Sequence, residues 1–175
     1  MRTWSSMLLM VFLAASLPLP AAAAESVAQA DTRPMLMVDK KHGYRVVYDI
    51  KTNATEAGIS KGLYYARGLY EAFGKQGVKP KQVHMHLVLH GDAAAMLLTD
   101  SAYQAVNYDP FMNNPNDKIV QELLELGASV EICHSAMKGH GWKAEDIMPG
   151  VTIVHDGYTR LVQLQNQGYA YLGGF

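Results

Sequence analysis

Two hydrophobic periods take turns along this chain. Alternating or solid short apolar runs, rich in β-branched and aromatic residues, mark five strands: Tyr44–Ile50, Val83–Leu89, Val130–Ile132 running into Cys133, Val151–His155 and Tyr169–Leu172. Between them the period lengthens to that of a helix. Ile59, Leu63, Ala66, Tyr70 and Phe73 follow at spacings of four and three, which predicts a long helix ending near Gly74 or Gly77. Asn53 with Glu56 three residues later predicts its start, as an Asx form of the capping box. Ala93 to Leu98 reads as a short helix, and Ser101 to Asn113 as a helical turn and a loop. Ile119, Val120, Leu123 and Leu124 predict another helix, with Asn114 as cap, Pro115 in first position, Asp117 at the positive end and Gly127 as its stop. The residues after Cys133 read as a short helix, and Ala144 to Pro149 as a connection. Asp156 caps a last helix that turns Leu161, Val162 and Leu164 inward and ends at Gly168. Strands alternating with helices predict an α/β fold: a mainly parallel, five-stranded sheet covered on both faces.

The first residues follow a different pattern. Arg2 precedes an apolar run from Met7 to Leu17, Pro18 and Pro20 break it, and Ala21 to Ala24 offer a small-residue cleavage pattern before Glu25. Residues 1–24 are therefore expected to be a signal peptide, and its run is too short to leave a membrane-spanning helix. No twin-arginine pair is present, which points to the general secretory route and a periplasmic protein. Residues 25–42 are polar and patternless and read as a flexible lead-in to a domain over 43–175.

Composition changes this picture little. With 49% hydrophobic and 18% charged residues the chain is globular, and a net charge of −1 gives no reason to expect nucleic-acid binding. P-loop, G-x-G-x-x-G and G-x-S-x-G motifs are missing from the sequence, so no cofactor is expected.

The candidate chemistry centres on Cys133, the one cysteine of the sequence. It stands where a strand ends and a helix begins, the edge at which open parallel sheets bind ligands. A helix N-terminus favours thiolate over thiol, and the thiolate is the reactive form. If the strands are parallel, the same edge gathers Asp49, Asn53, His90, Asp92, His134, His155 and Asp156. His84, His86 and His90 have the same parity on one strand, which keeps metal binding open. The rival, non-enzymatic reading is a module that binds a metal or small ligand through the rim, chiefly by His90, His155 and Cys133, or serves as an assembly subunit.

At these residues the sequence resembles the DsrE/DsrF-like sulfur-relay family. The resemblance lies in the Gly127-to-Cys133 strand, the Pro149–Gly150 turn into Val151, and the stretch from Leu161 to Leu172, with the His90–Gly91 turn and the Asn114–Pro115 pair beside them. It implies a compact three-layer α/β/α fold assembled as a trimer or hexamer. It also implies a sulfurtransferase-like carrier that holds persulfide sulfur on Cys133; His134 or His90, as its neighbours at the rim, is expected to assist electrostatically. The partners implied are a sulfane-sulfur donor and a thiol acceptor protein. Apolar Met85, Leu87 and Leu89, with Tyr103, Tyr108 and Phe111, supply surface of the kind found at subunit interfaces.

Overall fold

The computed structural model describes residues 33–175. The expected signal peptide and the first part of the lead-in lie outside them. The chain divides into Met1–Leu36 and Met37–Phe175. Of the first unit, the described residues carry no helix or strand. In the second, residues ahead of the sheet are already tied down: the Val38 amide donates to Gln76 Oε1, and the Tyr44 hydroxyl donates to the Asp39 carbonyl.

Five strands form the sheet: β1 (Tyr44–Ile50), β4 (Val83–Leu89), β5 (Ser129–Cys133), β6 (Thr152–Val154) and β7 (Ala170–Leu172), in the order β6-β5-β4-β1-β7. Every neighbouring pair is parallel. All five C-terminal ends therefore reach one edge. The long apolar strands β1, β4 and β5 take the centre, as both-face burial requires. The two outer strands are only three residues each, which limits the open edge.

One face carries most of the core. Val46, Tyr48 and Ile50 of β1, Met85, Leu87 and Leu89 of β4, and Val130 and Ile132 of β5 point there. They meet Leu63, Ala66, Tyr70 and Phe73 of α1 (Lys61–Lys75) and Ile119, Val120 and Leu123 of α3 (Asp117–Glu125). A 3-10 turn over Gly91–Leu97, α2 (Asp100–Asn107) and α4 (His134–His140) complete that layer. Met85, Leu87 and Leu89 are thus core residues, not interface residues. Among the described residues the opposite face holds one helix, α5 (Gly157–Asn166), whose Leu161 and Leu164 pack on Val47 and Val88.

Several boundaries differ from the sequence reading. The Asn53–Glu56 box does not form. Instead β2 (Thr55–Glu56) and β3 (Ile59–Ser60) make a two-residue hairpin around Ala57 and Gly58, both at positive φ, and α1 starts only at Lys61. Helix α3 starts two residues later than expected. Asn114 is engaged elsewhere, since its side-chain amide donates to the Met96 and Leu98 carbonyls and its Oδ1 accepts the Asn116 amide. Residues 93–98 lie mostly in the 3-10 turn, and Thr99 caps a true α-helix, α2, where a turn was expected. Val162 faces solvent, because α5 turns only Leu161 and Leu164 to the sheet.

Candidate functional site

The strand ends converge as the parallel order dictates. Cys133 is the last residue of β5, Val154 beside it ends β6, and His90 directly follows β4. The His90 amide donates to the Ile50 carbonyl at 3.0 Å, which extends the β1–β4 ladder to the rim. Gly91, at φ +55°, lets the next turn close over Lys51, whose carbonyl a Cβ at position 91 would approach to 3.1 Å.

A cleft of about 340 Å³ opens at this edge. Lys51, His90, Asp92, Cys133, Asp156 and Tyr158 line it, with Ser135 and His140 on the α4 side. Cys133 is 4% exposed and sits in the wall, not on an open surface. Its sulfur takes no cap hydrogen bond from its own helix α4. The amide that reaches it belongs to Gly157, the first residue of α5, donating to Sγ at 3.2 Å. The α5 N-terminus is in turn fixed by Asp156, whose Oδ1 accepts the Thr159 amide, and that bond holds the Asp156 carboxyl below its ordinary range.

His90 is 3% exposed and lies beside the cysteine. Its Nε2 bonds Asp49 Oδ1 at 2.6 Å, and the Tyr171 hydroxyl donates to Asp49 Oδ2 at 2.5 Å. The same ring stacks edge-on against Tyr158, centroids 4.8 Å apart. Gly157 joins the two halves of the site. A Cβ there would stand 3.0 Å from His90 Cβ and Cγ, so the bare glycine lets His90 and the sulfur-binding amide share one space. Lys51 Nζ lies 5.7 Å from the Tyr158 ring centroid. Tyr158 chiefly, then Asp49 and Asp92, push the Lys51 pKa up.

Of the residues expected at the rim, Cys133, His90, Asp92 and Asp156 come together, with Asp49 behind His90. Three do not join them. His134 is half-buried and is not part of the cleft lining; His155 faces a separate cavity with Arg160 and Gln163; Asn53 lies in the adjoining groove with Tyr108 and Trp142. Sequence reading missed Lys51, Gly157, Tyr158 and Tyr171. One signal was available: Asp156–Gly157 repeats the strand-end glycine of His90–Gly91, and glycine is a poor helix former unless space demands it.

The three histidines of β4 and its end part company. His84 is exposed, and His86 is held by the Glu131 carboxylate at 2.5 Å. Arg160 Nε and Nη2 clamp Glu131 at 2.7 and 2.9 Å, and Ser129 donates to it. Burial pushes the Glu131 carboxyl up, but the His86 and Arg160 hydrogen bonds outweigh it and bring the pKa down to about 2. Among the described residues, no group of three or more His, Cys, Asp or Glu is arranged to hold a metal ion.

Comparison with known proteins matches the chain to a family. Residues 44–173 match the model described as "DsrE/DsrF-like family". A protein of unknown function from Methanobacterium thermoautotrophicum, MTH1491, superposes with a TM-score of 0.58 at 21% identity, covering 75% of this chain and 99% of that one. The YchN protein of E. coli does so with a TM-score of 0.52 at 18% identity, again covering 75% and 99%. Both are likenesses of fold. No curated protein matches the chain.

Proposed function

Since the chain belongs to the DsrE/DsrF-like family, we propose that it is a sulfur-relay protein that carries persulfide sulfur on Cys133. The observation that supports this most is the Gly157 amide directed at Cys133 Sγ inside a cleft that also holds the Lys51 cation. A donor N–H and a nearby ammonium stabilise negative sulfur, both as the attacking thiolate and as the persulfide anion it becomes. Cys133 attacks the outer sulfur of a donor R–S–SH. The new S–S bond forms as the donor's own S–S bond breaks, R–S⁻ leaves, and the proton lost by the Cys133 thiol ends on that leaving sulfur. An acceptor thiol reverses the step. Sulfur passes on with no net oxidation, and no cofactor takes part. His90, in the cleft wall, is the assisting residue of this account.

The test is incubation of the folded protein with polysulfide, then intact-mass measurement. One added sulfur atom on the wild type and none on Cys133→Ser is expected. Equal gain by both, or none by either, defeats the reading.

The proposal extends to place and assembly. The Arg2–Ala24 leader supports export to the periplasm, where a recessed thiol is better guarded from stray oxidation than an open one. Assembly as a homotrimer or homohexamer is supported by the loop after α2. Tyr108 is 95% exposed and Phe111 92%, yet the loop is well braced: Asp109 Oδ1 accepts the Phe111 amide, and Asp100 Oδ1 accepts that of Asn114. Two rings held out to water on a fixed loop make an apolar patch suited to a partner copy. Light scattering after size exclusion, with reductant present, should give a trimer or hexamer mass that falls in a Tyr108→Ser/Phe111→Ser variant. A monomeric wild type at micromolar concentration contradicts it.

A further inference from the structure

The Tyr171–Asp49–His90 chain ends at the cysteine cleft, and its geometry fixes more than a contact. A carboxylate can only accept, so the 2.6 Å bond from His90 Nε2 to Asp49 places the ring proton on Nε2. In the neutral ring Nδ1 is then the bare nitrogen. It makes no hydrogen bond among the described residues, and it is not one of their sealed, partnerless polar atoms. His90 and Cys133 line the same cleft.

Asp49 is itself held from the far side. Val47 of β1 pairs with Tyr171 of β7, which sets the Tyr171 ring on the Asp49 face of the sheet and lets its hydroxyl reach Oδ2. That bond pushes the Tyr171 pKa up to about 12, so the phenol stays protonated and keeps donating. The ring folds back over Gly173, where a Cβ would stand only 2.4 Å from the hydroxyl oxygen. An edge strand that is otherwise exposed thus places one hydroxyl against one carboxylate.

We propose that Asp49 and Tyr171 are positioning residues that hold His90 as the Nε2–H tautomer, so that Nδ1 takes the Cys133 thiol proton when the sulfur attacks and returns it to the leaving sulfur. The imidazolium formed in between is stabilised by Asp49. This rests on the reading of Cys133 as the sulfur carrier, and its logic is that of a carboxylate orienting a histidine beside a nucleophile.

The test uses two measurements that need no sulfur donor. The first is the ¹⁵N NMR signature of the His90 ring; the second is the rate at which iodoacetamide alkylates Cys133 at neutral pH. The wild type should show one Nε2–H tautomer. Asp49→Asn should mix the tautomers and slow alkylation about tenfold or more. Tyr171→Phe should slow it by about two- to tenfold, one hydrogen bond's worth. Gly173→Ala, which displaces the ring without removing a polar group, should resemble Tyr171→Phe. An Nδ1–H tautomer in the wild type overturns the proposal. So does an unchanged alkylation rate in Tyr171→Phe and Gly173→Ala variants that melt like the wild type. If these measurements come out as expected but polysulfide adds no sulfur, the carrier reading fails while the positioning of His90 stands.

Discussion

The two faces of the sheet solve the same folding problem with different chemistry. On the α1 and α3 side, strand and helix residues interlock in one continuous apolar core. On the α5 side, four buried apolar residues and Tyr169 do that work. The remaining space goes to the Glu131–His86–Arg160 cluster and, at the rim, to Cys133, His90 and Asp49. Burying an ion pair costs desolvation that packing does not, so such a face is weak evidence for stability gained. Its use is positional. Arg160 of α5 is tied to Glu131 of β5, and Cys133 lies two residues further along the same strand on the same face. The clamp therefore helps to set where the α5 N-terminus meets the sulfur.

Damage to each face in turn should have different consequences. Leu87→Ala, in the large core, should cost about 3–4 kcal/mol, measured by urea denaturation, through lost burial and a cavity. Sulfur loading at Cys133 should survive wherever the variant is folded. Glu131→Gln should cost less, about 2–3 kcal/mol, by leaving Arg160 and His86 without their carboxylate. It should nevertheless slow sulfur loading, because α5 loses its anchor. An equal effect of both on loading would dissolve the distinction.

Acid should separate the faces too. Glu131 has its pKa lowered to about 2 from 4.5. A depressed carboxyl contributes stability that is present above its unfolded pKa and is lost as pH falls through the folded one. The loss here runs between about pH 5 and pH 2 and reaches about 3 kcal/mol. Stability of the wild type should therefore approach that of Glu131→Gln across this window. A constant gap between the two down to pH 2 would show that the carboxylate contributes nothing through its charge.

The smallest expected effects come from two glycines. Gly157→Ala should cost about 1–3 kcal/mol by overpacking against His90, and should disturb the site as well. Gly68→Ala on α1, where nothing lies within 4 Å of the added carbon, should stabilise the fold by about 0.5–1 kcal/mol. Thermal melts of the pair would decide it; a Gly157→Ala variant as stable as Gly68→Ala contradicts the close approach.

The difference between the faces also governs what the sequence discloses. β1 and β4 are read to the residue, because their apolar positions have one dominant cause, burial. The start of α1 is misread, because Asn53 and Glu56 have cap spacing while Ala57 and Gly58 hold the backbone in a turn that the pattern does not register. At the site, Cys133, His90, Asp92 and Asp156 are legible as strand-end residues of a parallel sheet. Tyr171 is not, since it meets Asp49 across 122 residues of sequence. Gly157 is not, since its contribution is an amide and an absent side chain. Lys51 and Tyr158 look like ordinary surface residues until the rim closes around them.

A carrier must give back what it takes, and one measurement follows both steps. Wild-type protein is loaded with polysulfide, freed of excess reagent, weighed intact, mixed with a low-molecular-weight thiol and weighed again. The account predicts one added sulfur atom that is blocked by prior alkylation of Cys133 and returns to zero as the thiol acquires persulfide. Sulfur that adds despite alkylation, or that remains on the protein through the thiol treatment, would contradict it.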